Sequence, residues 1–400
     1  MTSQTMGPPV FDPVDPAFLD DPYPFYAQIR AAGPVVRMGP TQWVTGRHAQ
    51  VTQLLRDRRL RNEWPEPFQR MRLGDGEVTD FLLRLALYRE PPDHTLLRRF
   101  LSTIMQATPT AELRSYVARV AGRQIRRGLD AGRLEIMADL AFPVPLAAAC
   151  ELIGVPEADR TMVGGWGTEL IKAFAVALPE PDRPLVDTAI TELRGYFRAS
   201  LREPVRGKLA RVAGAVGAGA GSGPLRRDEL VDNIIFLLVS GFTTTVHMIA
   251  TVCALLLEHP GTVAEIRRDR SLLPGAVEEL LRYDAPLQHI SRLAAETVDV
   301  EGQKIRPGRV VHLLLGSANH DDRQFAEPGR LDIRRAPNPH VSFGTGLHAC
   351  LGAGLGRLEV AVLLGQLLDR CRLLEPGGTA VRRPTQVFRT YSRIPVQVAA

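Results

Sequence analysis

Four cysteines in 400 residues are too few and too scattered to staple a fold. Cys150, Cys253, Cys350 and Cys371 lie far apart, three of them inside apolar helical patterns. That spacing excludes a disulfide framework and makes a reducing compartment, the cytoplasm, the expected location. Residues 1–9 have neither a charged n-region nor an apolar h-region, so no signal peptide is expected there. No concentrated Lys/Arg run accompanies the net charge of +5, so no nucleic-acid partner is expected. No Ser-, Pro- or charge-rich linker divides the chain, leaving 1–400 as a single domain although its length alone suggests two or three. Within it, residues 1–10 read as a disordered tail and 212–224, rich in Gly and Ala, as a flexible loop. With 45% hydrophobic residues the chain can bury a sizeable core.

Helical spacing is present over 22–32, 138–152, 161–174, 187–202 and 274–283, whereas strand patterns are short, at 35–45, 291–294, 297–300 and 310–315. The longest apolar segment is 234–257, with His247 its one ionisable residue. About 20 apolar residues suffice to span a bilayer, so a membrane helix is the rival reading. Against it, Ser240-Gly-Phe-Thr-Thr-Thr245 is polar in mid-segment, no second span accompanies it, and Asp228, Glu229 and Asp232 separate Arg226-Arg227 from the segment. The expectation is a long helix through a globular interior, with no membrane. Leu237, Gly241, Thr244 and Met248 fall along one stripe of it, where Gly241 removes bulk and Thr244 offers a hydroxyl one turn on. The hydroxyls of Thr243 to Thr245 can also bond back to the carbonyl four residues earlier.

The densest constellation is Phe343-Gly-Thr-Gly-Leu-His-Ala-Cys-Leu-Gly352, followed by a strong helical pattern. Glycines let backbone turn sharply and approach a flat ligand closely. A cysteine where a loop enters a helix sits among unpaired amides that favour the thiolate. A single Cys thiolate as protein ligand is the haem arrangement that promotes O–O cleavage. Alone, Cys350 would be a small buried hydrophobe; six spaced positions reverse that. Phe343, Gly344, Gly346, His348, Cys350 and Gly352 resemble the haem-binding loop of the cytochrome P450 superfamily, as its soluble bacterial members have it. The resemblance runs from about Phe11 to Val398, with the motifs in order.

What the resemblance implies is a mainly α fold with a small β region, with haem b between the long central helix and the Cys350 loop. Cys350 is the implied iron ligand. His94 and Arg98, which share a helix face, together with Arg292 and His348, match propionate-binding positions, where charge-assisted bonds to carboxylate are strong. Phe343, Gly344 and Gly352 complete the cofactor contacts. Gly241 and Thr244, flanked by Thr243 and Thr245, match the oxygen-binding groove, a small-Gly-x-acid-Thr run in the family. Here the acid position is Thr243, a hydroxyl that passes protons along ordered water but is no carboxylate relay. Glu279, Arg282 and Arg330 match a structural lock on the haem-side core. Trp64, Phe68, Leu237, Met248, Leu287, His289, Ile290 and Phe388 are the candidates for the substrate pocket, and Asp93 for a helix cap.

The implied reaction is O2-dependent hydroxylation or epoxidation of a mid-sized hydrophobic molecule of specialised metabolism, either unattached or presented on a carrier protein. Electrons are expected from NAD(P)H through separate partners, a ferredoxin and its reductase. Loss of the acid at Thr243 leaves open ring closure, coupling or desaturation, or use of peroxide. A non-enzymatic haem-binding protein is the rival of a different class. A Cys-dependent hydrolase lacks the nucleophile turn typical of such enzymes.

Overall fold

In the computed structural model, residues 11–175, 178–201, 208–221, 225–385 and 387–400 are described, and the expected tail at 1–10 lies outside them. The chain forms two compact units, each drawn from distant stretches: Met1–Asn62, Thr251–Cys350 and Ala380–Ser392 in one, and Glu63–Ala250, Leu351–Thr379 and Arg393–Ala400 in the other. Helices predominate, with small sheets, as expected.

The first unit is built on a five-stranded sheet. Its strands are β1 (Val36–Arg37), β2 (Gln42–Thr45), β3 (Leu60–Arg61), β4 (His289–Ala294) and β5 (Val310–Leu314), in the order β1-β2-β5-β4-β3. The predicted hairpin at 35–45 is the β1–β2 pair, with Val36 opposite Val44. β2 runs parallel to β5, and β4 antiparallel to it with Arg292 opposite Val311. Val35, Val51, Leu54, Ile305, Val311 and Leu313 make the core beneath. On β4, alternate side chains leave by opposite faces. His289 packs edge-on to Phe11 at 5.3 Å, and Phe11 lies 5.2 Å from His312, whose Nδ1 is 2.9 Å from Ser291 Oγ.

The second unit is helical. Its long helix, Arg227–Glu258, opens with Asp228 and Glu229 in the first turn, where the helix dipole favours them, and continues past residue 250 into the other unit. Asp232 is fully buried on it and is gripped by Arg194, at 2.6 Å from Nε and 2.8 Å from Nη2, with Arg84 at 3.4 Å. The next residue, Asn233, accepts from Ala86 N at 2.8 Å and donates to Arg84 O at 2.9 Å. The helix Arg183–Ser200 and the segment around residues 84–86 are thereby tied to the start of the long helix.

Two expectations need correction here. The Gly/Ala-rich stretch is not a loop over its described part: Lys208–Gly221 is a helix. Alanine is the strongest helix former, and burial of Val212 and Val216, four apart on one face, offsets the glycines. Lys208 then anchors it through Glu112 at 2.6 Å and Glu151 at 2.8 Å. A second apolar stretch also exists, Ile136–Ile153, long enough to cross a membrane by composition. It starts as π-helix over Ile136–Ala141 and becomes α-helix at Pro143, because Pro143 and Pro145 lack the amide donors that an α-helix running through from 138 would need. Of the apolar windows, 72% in the long helix and 61% in this one lie inside the protein, as core helices do.

The buried histidines predict an acid-sensitive core. Burial, then the neighbouring His312, lowers His289 to about 3, and burial lowers His312 to about 4. Both rings stay neutral when folded and take up protons near pH 6.5 when unfolded, so their stabilisation is complete above pH 6.5 and is lost as pH falls toward 4 and 3. At pH 5 the loss should reach roughly 2 kcal/mol per ring. Urea titrations at pH 7.5 and 5 should show it, and His289→Phe should reduce the difference.

Candidate functional site

The Cys350 loop is shaped by two glycines. Gly344 and Gly346 have φ of 64° and 77°, a region side chains avoid. A Cβ on Gly346 would also lie 2.6 Å from Leu55 O. Gly352, by contrast, is an ordinary N-cap at φ −85° for the helix Ala353–Arg370. The loop closes with Cys350 N donating to Phe343 O at 2.9 Å. Phe343, Gly344, His348 and Cys350 are therefore brought together on one short turn, with Cys350 exposed and Phe343 and His348 half-buried. None of the four cysteines is in a disulfide, and Cys150, Cys253 and Cys371 are buried. Burial pushes the Cys150 and Cys253 thiols up to about 12. Cys350 alone combines exposure with a glycine-cleared approach, and that donor set fits haem iron.

What holds the loop is a buried polar core that the sequence showed in part. Glu279 is fully buried and accepts from Arg282 Nε at 2.7 Å and Nη2 at 2.8 Å. The expected third member, Arg330, is not there. Its guanidinium pairs with exposed Glu327 at 3.2 Å, and only its carbonyl takes part, accepting from Arg282. Arg335 fills the place, its Nε 3.1 Å from both Glu279 oxygens, and Asn338 and the Asp332 amide add bonds at 3.1 Å and 2.9 Å. The loop turns at Arg330 and returns five residues later, which spacing alone did not reveal. Asn319 was missed as well. It accepts from Arg282 through its carbonyl, donates to Ser342 Oγ and accepts from Val341 N, each at 2.8 Å, just upstream of Phe343.

The propionate candidates divide between the units. In the first, Arg292 is 5% exposed and donates to Asn62 Oδ1 at 3.1 Å. In the second, buried His94 and half-buried Arg98 occupy the opening turns of the helix Asp93–Gln106. Asp93 is the first helical residue and Pro92 the N-cap, so the capping expectation for Asp93 is not met.

Over 234–250 of the long helix the half-exposed positions are Phe236, Ser240, Gly241, Thr244 and His247, all on one face. Leu237 and Met248, expected there, are 8% and 6% exposed and face the core. A stripe through Gly241 and Thr244 can be drawn over either neighbour, and the helix rotation chose Phe236. A Cβ on Gly241 would meet only Ala149, at 3.6 Å. Thr243, Thr244 and Thr245 all donate back to the carbonyls of Val239, Ser240 and Gly241, at 2.7, 2.8 and 3.0 Å. Thr243 and Thr245 are buried, leaving Thr244 as the accessible threonine.

Of the pocket candidates, Leu287 and Phe388 form a β-bridge, and Ile290 lies half-buried on the strand face opposite His289. His289 is corrected: at 4% exposed it belongs to the Phe11 core, one residue out of phase with Arg292 plus one turn of the pleat. Trp64 and Phe68 stack at 5.1 Å, but Phe68 is 37% exposed. Sequence reading missed a row of half-buried rings, Tyr88, Phe174 and Phe236, with centroids 6.4 Å and 5.7 Å apart.

The chain is similar to known proteins of one family. A family model described as Cytochrome P450 matches residues 215–394. The chain is 31% identical to the biotin biosynthesis cytochrome P450 of Bacillus subtilis (strain 168) over 384 residues, covering 95% of this chain and 96% of that one. It is 33% identical to the cytochrome P450 monooxygenase PikC of Streptomyces venezuelae over 405 residues, 98% and 95% of the two chains. Among solved structures, P450BioI in complex with hexadec-9Z-enoic acid ligated acyl carrier protein superposes with a TM-score of 0.87 at 30% identity, covering 96% of this chain and 100% of that one.

The lock makes a discriminating prediction. Arg335→Ala leaves the buried Glu279 carboxylate short of a cation and should cost about 3–5 kcal/mol. Arg330→Ala removes an exposed pair and should stay within about 0.5 kcal/mol. Denaturant unfolding of the two variants should separate them. Gly346→Ala should unfold more readily than wild type by at least about 1–3 kcal/mol, through strain and the Leu55 contact.

Proposed function

The chain belongs to the cytochrome P450 family, and from that premise we propose that it hydroxylates or epoxidises a mid-sized hydrophobic molecule of specialised metabolism. Like its relatives it is an oxidoreductase of the monooxygenase class, and the family's cofactor is haem. The observation that carries the reading is the single exposed cysteine on a glycine-shaped turn backed by the Glu279 lock. Cys350 would hold the iron, and Phe343, Gly344 and Gly352 would lie against the macrocycle. His348, Arg292, His94 and Arg98 are the residues we assign to the propionates. Bound in this way, haem supplies the activation of O2 by two electrons and two protons. The protein's own tasks are to hold the thiolate, admit an apolar molecule and meter protons through Gly241 and Thr244.

The substrate class is supported by the apolar Phe236 face and its aromatic neighbours Phe174 and Tyr88 in the second unit and, separately, by the apolar Leu287–Phe388 bridge in the first. P450BioI was solved with a carrier-bound fatty acid, and presentation on a carrier protein is a reading we extend to this chain. Electrons would come from NAD(P)H through a ferredoxin and ferredoxin reductase. A cytoplasmic location accords with thiols outside disulfides and with apolar helices held inside the protein. The interleaving of chain segments in both units supports reading 1–400 as one P450 domain. A second reading, oxidation ending in ring closure, coupling or desaturation, is favoured by one observation: at the family's acid position Thr243 is buried with its hydroxyl bonded to Val239 O.

The test is spectroscopic first. Reduced protein with carbon monoxide should show the thiolate-type absorption band, and Cys350→Ser should abolish it. Persistence of the band in that variant, or failure of the protein to take up haemin, removes the assignment. Spin-shift screening of apolar ligands should then find those that displace water from the iron.

A further inference from the structure

Four hydroxyls lie within two turns of the long helix, and three of them have their protons committed. Thr243, Thr244 and Thr245 each donate to the carbonyl one turn back, so each offers only lone pairs to anything beyond. Ser240 differs. Its side chain is half-exposed on the same face as Thr244, and among the described residues its hydroxyl has no hydrogen-bond partner. Gly241 beside it leaves the face clear. Side chains four apart on a helix stand about 5–6 Å from each other. A single water making two bonds of about 2.8 Å spans that gap.

We propose that Ser240 is a proton-relay residue, holding with Thr244 the water that delivers protons for oxygen reduction in place of the carboxylate missing at position 243. The inference rests on the haem-thiolate reading. The direction of the relay follows from the bonding. Thr244, its proton bound to the Ser240 carbonyl, can only accept from the water and so fixes its orientation. Ser240 can donate. Its hydroxyl gives its proton to the water as the water gives one to the oxygen being reduced; a proton from bulk water then restores Ser240, and no electron passes through either hydroxyl. Such a relay is slower than one ending in a carboxylate, because a hydroxyl cannot store the proton between steps. His247, half-exposed one turn beyond Thr244, lies at the other end of the same face.

The test needs no knowledge of the substrate. In the reduced carbon monoxide complex the C–O stretch reports hydrogen bonds donated to the bound gas. Wild type should show a band that shifts in D2O, and Ser240→Ala should move it to higher frequency and remove the D2O shift. Ser240→Cys, a weaker donor, should fall between. With a surrogate ferredoxin and reductase and no substrate, Ser240→Ala should raise the hydrogen peroxide released per water formed by roughly tenfold or more, the scale of one lost acid–base contact. If Ser240→Ala shows the thiolate-type absorption band but keeps the wild-type stretch, its D2O shift and its peroxide ratio, the relay is refuted while the haem-thiolate reading stands. If wild type itself lacks the absorption band, both fall together.

Discussion

The structure around Cys350 depends on one buried carboxylate. Glu279 is surrounded by Arg282, Arg335, Asn338 and the Asp332 amide, with no exposure to solvent. A bare charge so placed would be prohibitively costly, and satisfied by two guanidiniums it becomes a point where distant chain segments must meet. Arg282 extends the reach: its remaining donors go to the carbonyls of Asn319, Pro328 and Arg330. Asn319 then fixes Val341 and Ser342, and the next residues are the Phe343–Cys350 turn. A catalytic thiolate must be held by backbone, since a cysteine side chain has only one rotatable bond to correct a misplaced loop. In the haem-thiolate reading the lock would perform that task for Cys350.

A different economy operates on the long helix. Buried threonines at 243 and 245 satisfy their hydroxyls locally, which removes the desolvation cost of polar atoms in an apolar helix. Thr244 is bonded in the same way but differs in exposure. Thr243 and Thr245 are buried, whereas the half-exposed face in this stretch carries Phe236, Ser240 and Thr244. Nearer the start of the same helix, Asp232 is an acid, but Arg194 and Arg84 hold it in a buried ion-pair network. Burial raises its pKa while both arginines lower it, and its role is to tie helices together.

How much of this could be read in the sequence follows from the range of each interaction. The Cys350 turn was legible because its constraints are local: left-handed φ at Gly344 and Gly346, a closing bond within eight residues, a helix start behind it. The Glu279–Arg282 pair was legible for the same reason. Arg335 was not, because the choice between it and Arg330 is made by a loop whose path depends on carbonyls reaching Arg282. Helix phase was lost by a similar margin. Gly241 and Thr244 do fall on the half-exposed face, but one residue of rotation separates Phe236 from Leu237, and packing decides it. The reading of 212–224 as a loop failed over its described part on composition: glycine and alanine together suggest a coil, but Val212 and Val216 are buried and Lys208 finds partners.

The aromatic row and the strand phase bear on one question, which residues a substrate meets. Tyr88, Phe174 and Phe236 come from three separate segments of the second unit and remain half-buried, so ring area is left uncovered by the protein itself. Uncovered rings gain by contact with flat or branched hydrocarbon, at about 25 cal/mol for each Å² removed from water. In the first unit, the Leu287–Phe388 bridge is fixed by backbone bonds on either side, Gln288 N to Val387 O at 2.9 Å and Arg389 N to Pro286 O at 2.8 Å. Arg389 is itself held by Asp284 at 2.8 Å. Apolar surface set on a rigid backbone selects by shape, whereas the Phe68 and Met71 side chains, exposed to solvent, have no comparable fixture. In the second unit Phe236 and Phe174 therefore carry fixed apolar surface, and the helix carrying Phe68 should tolerate change.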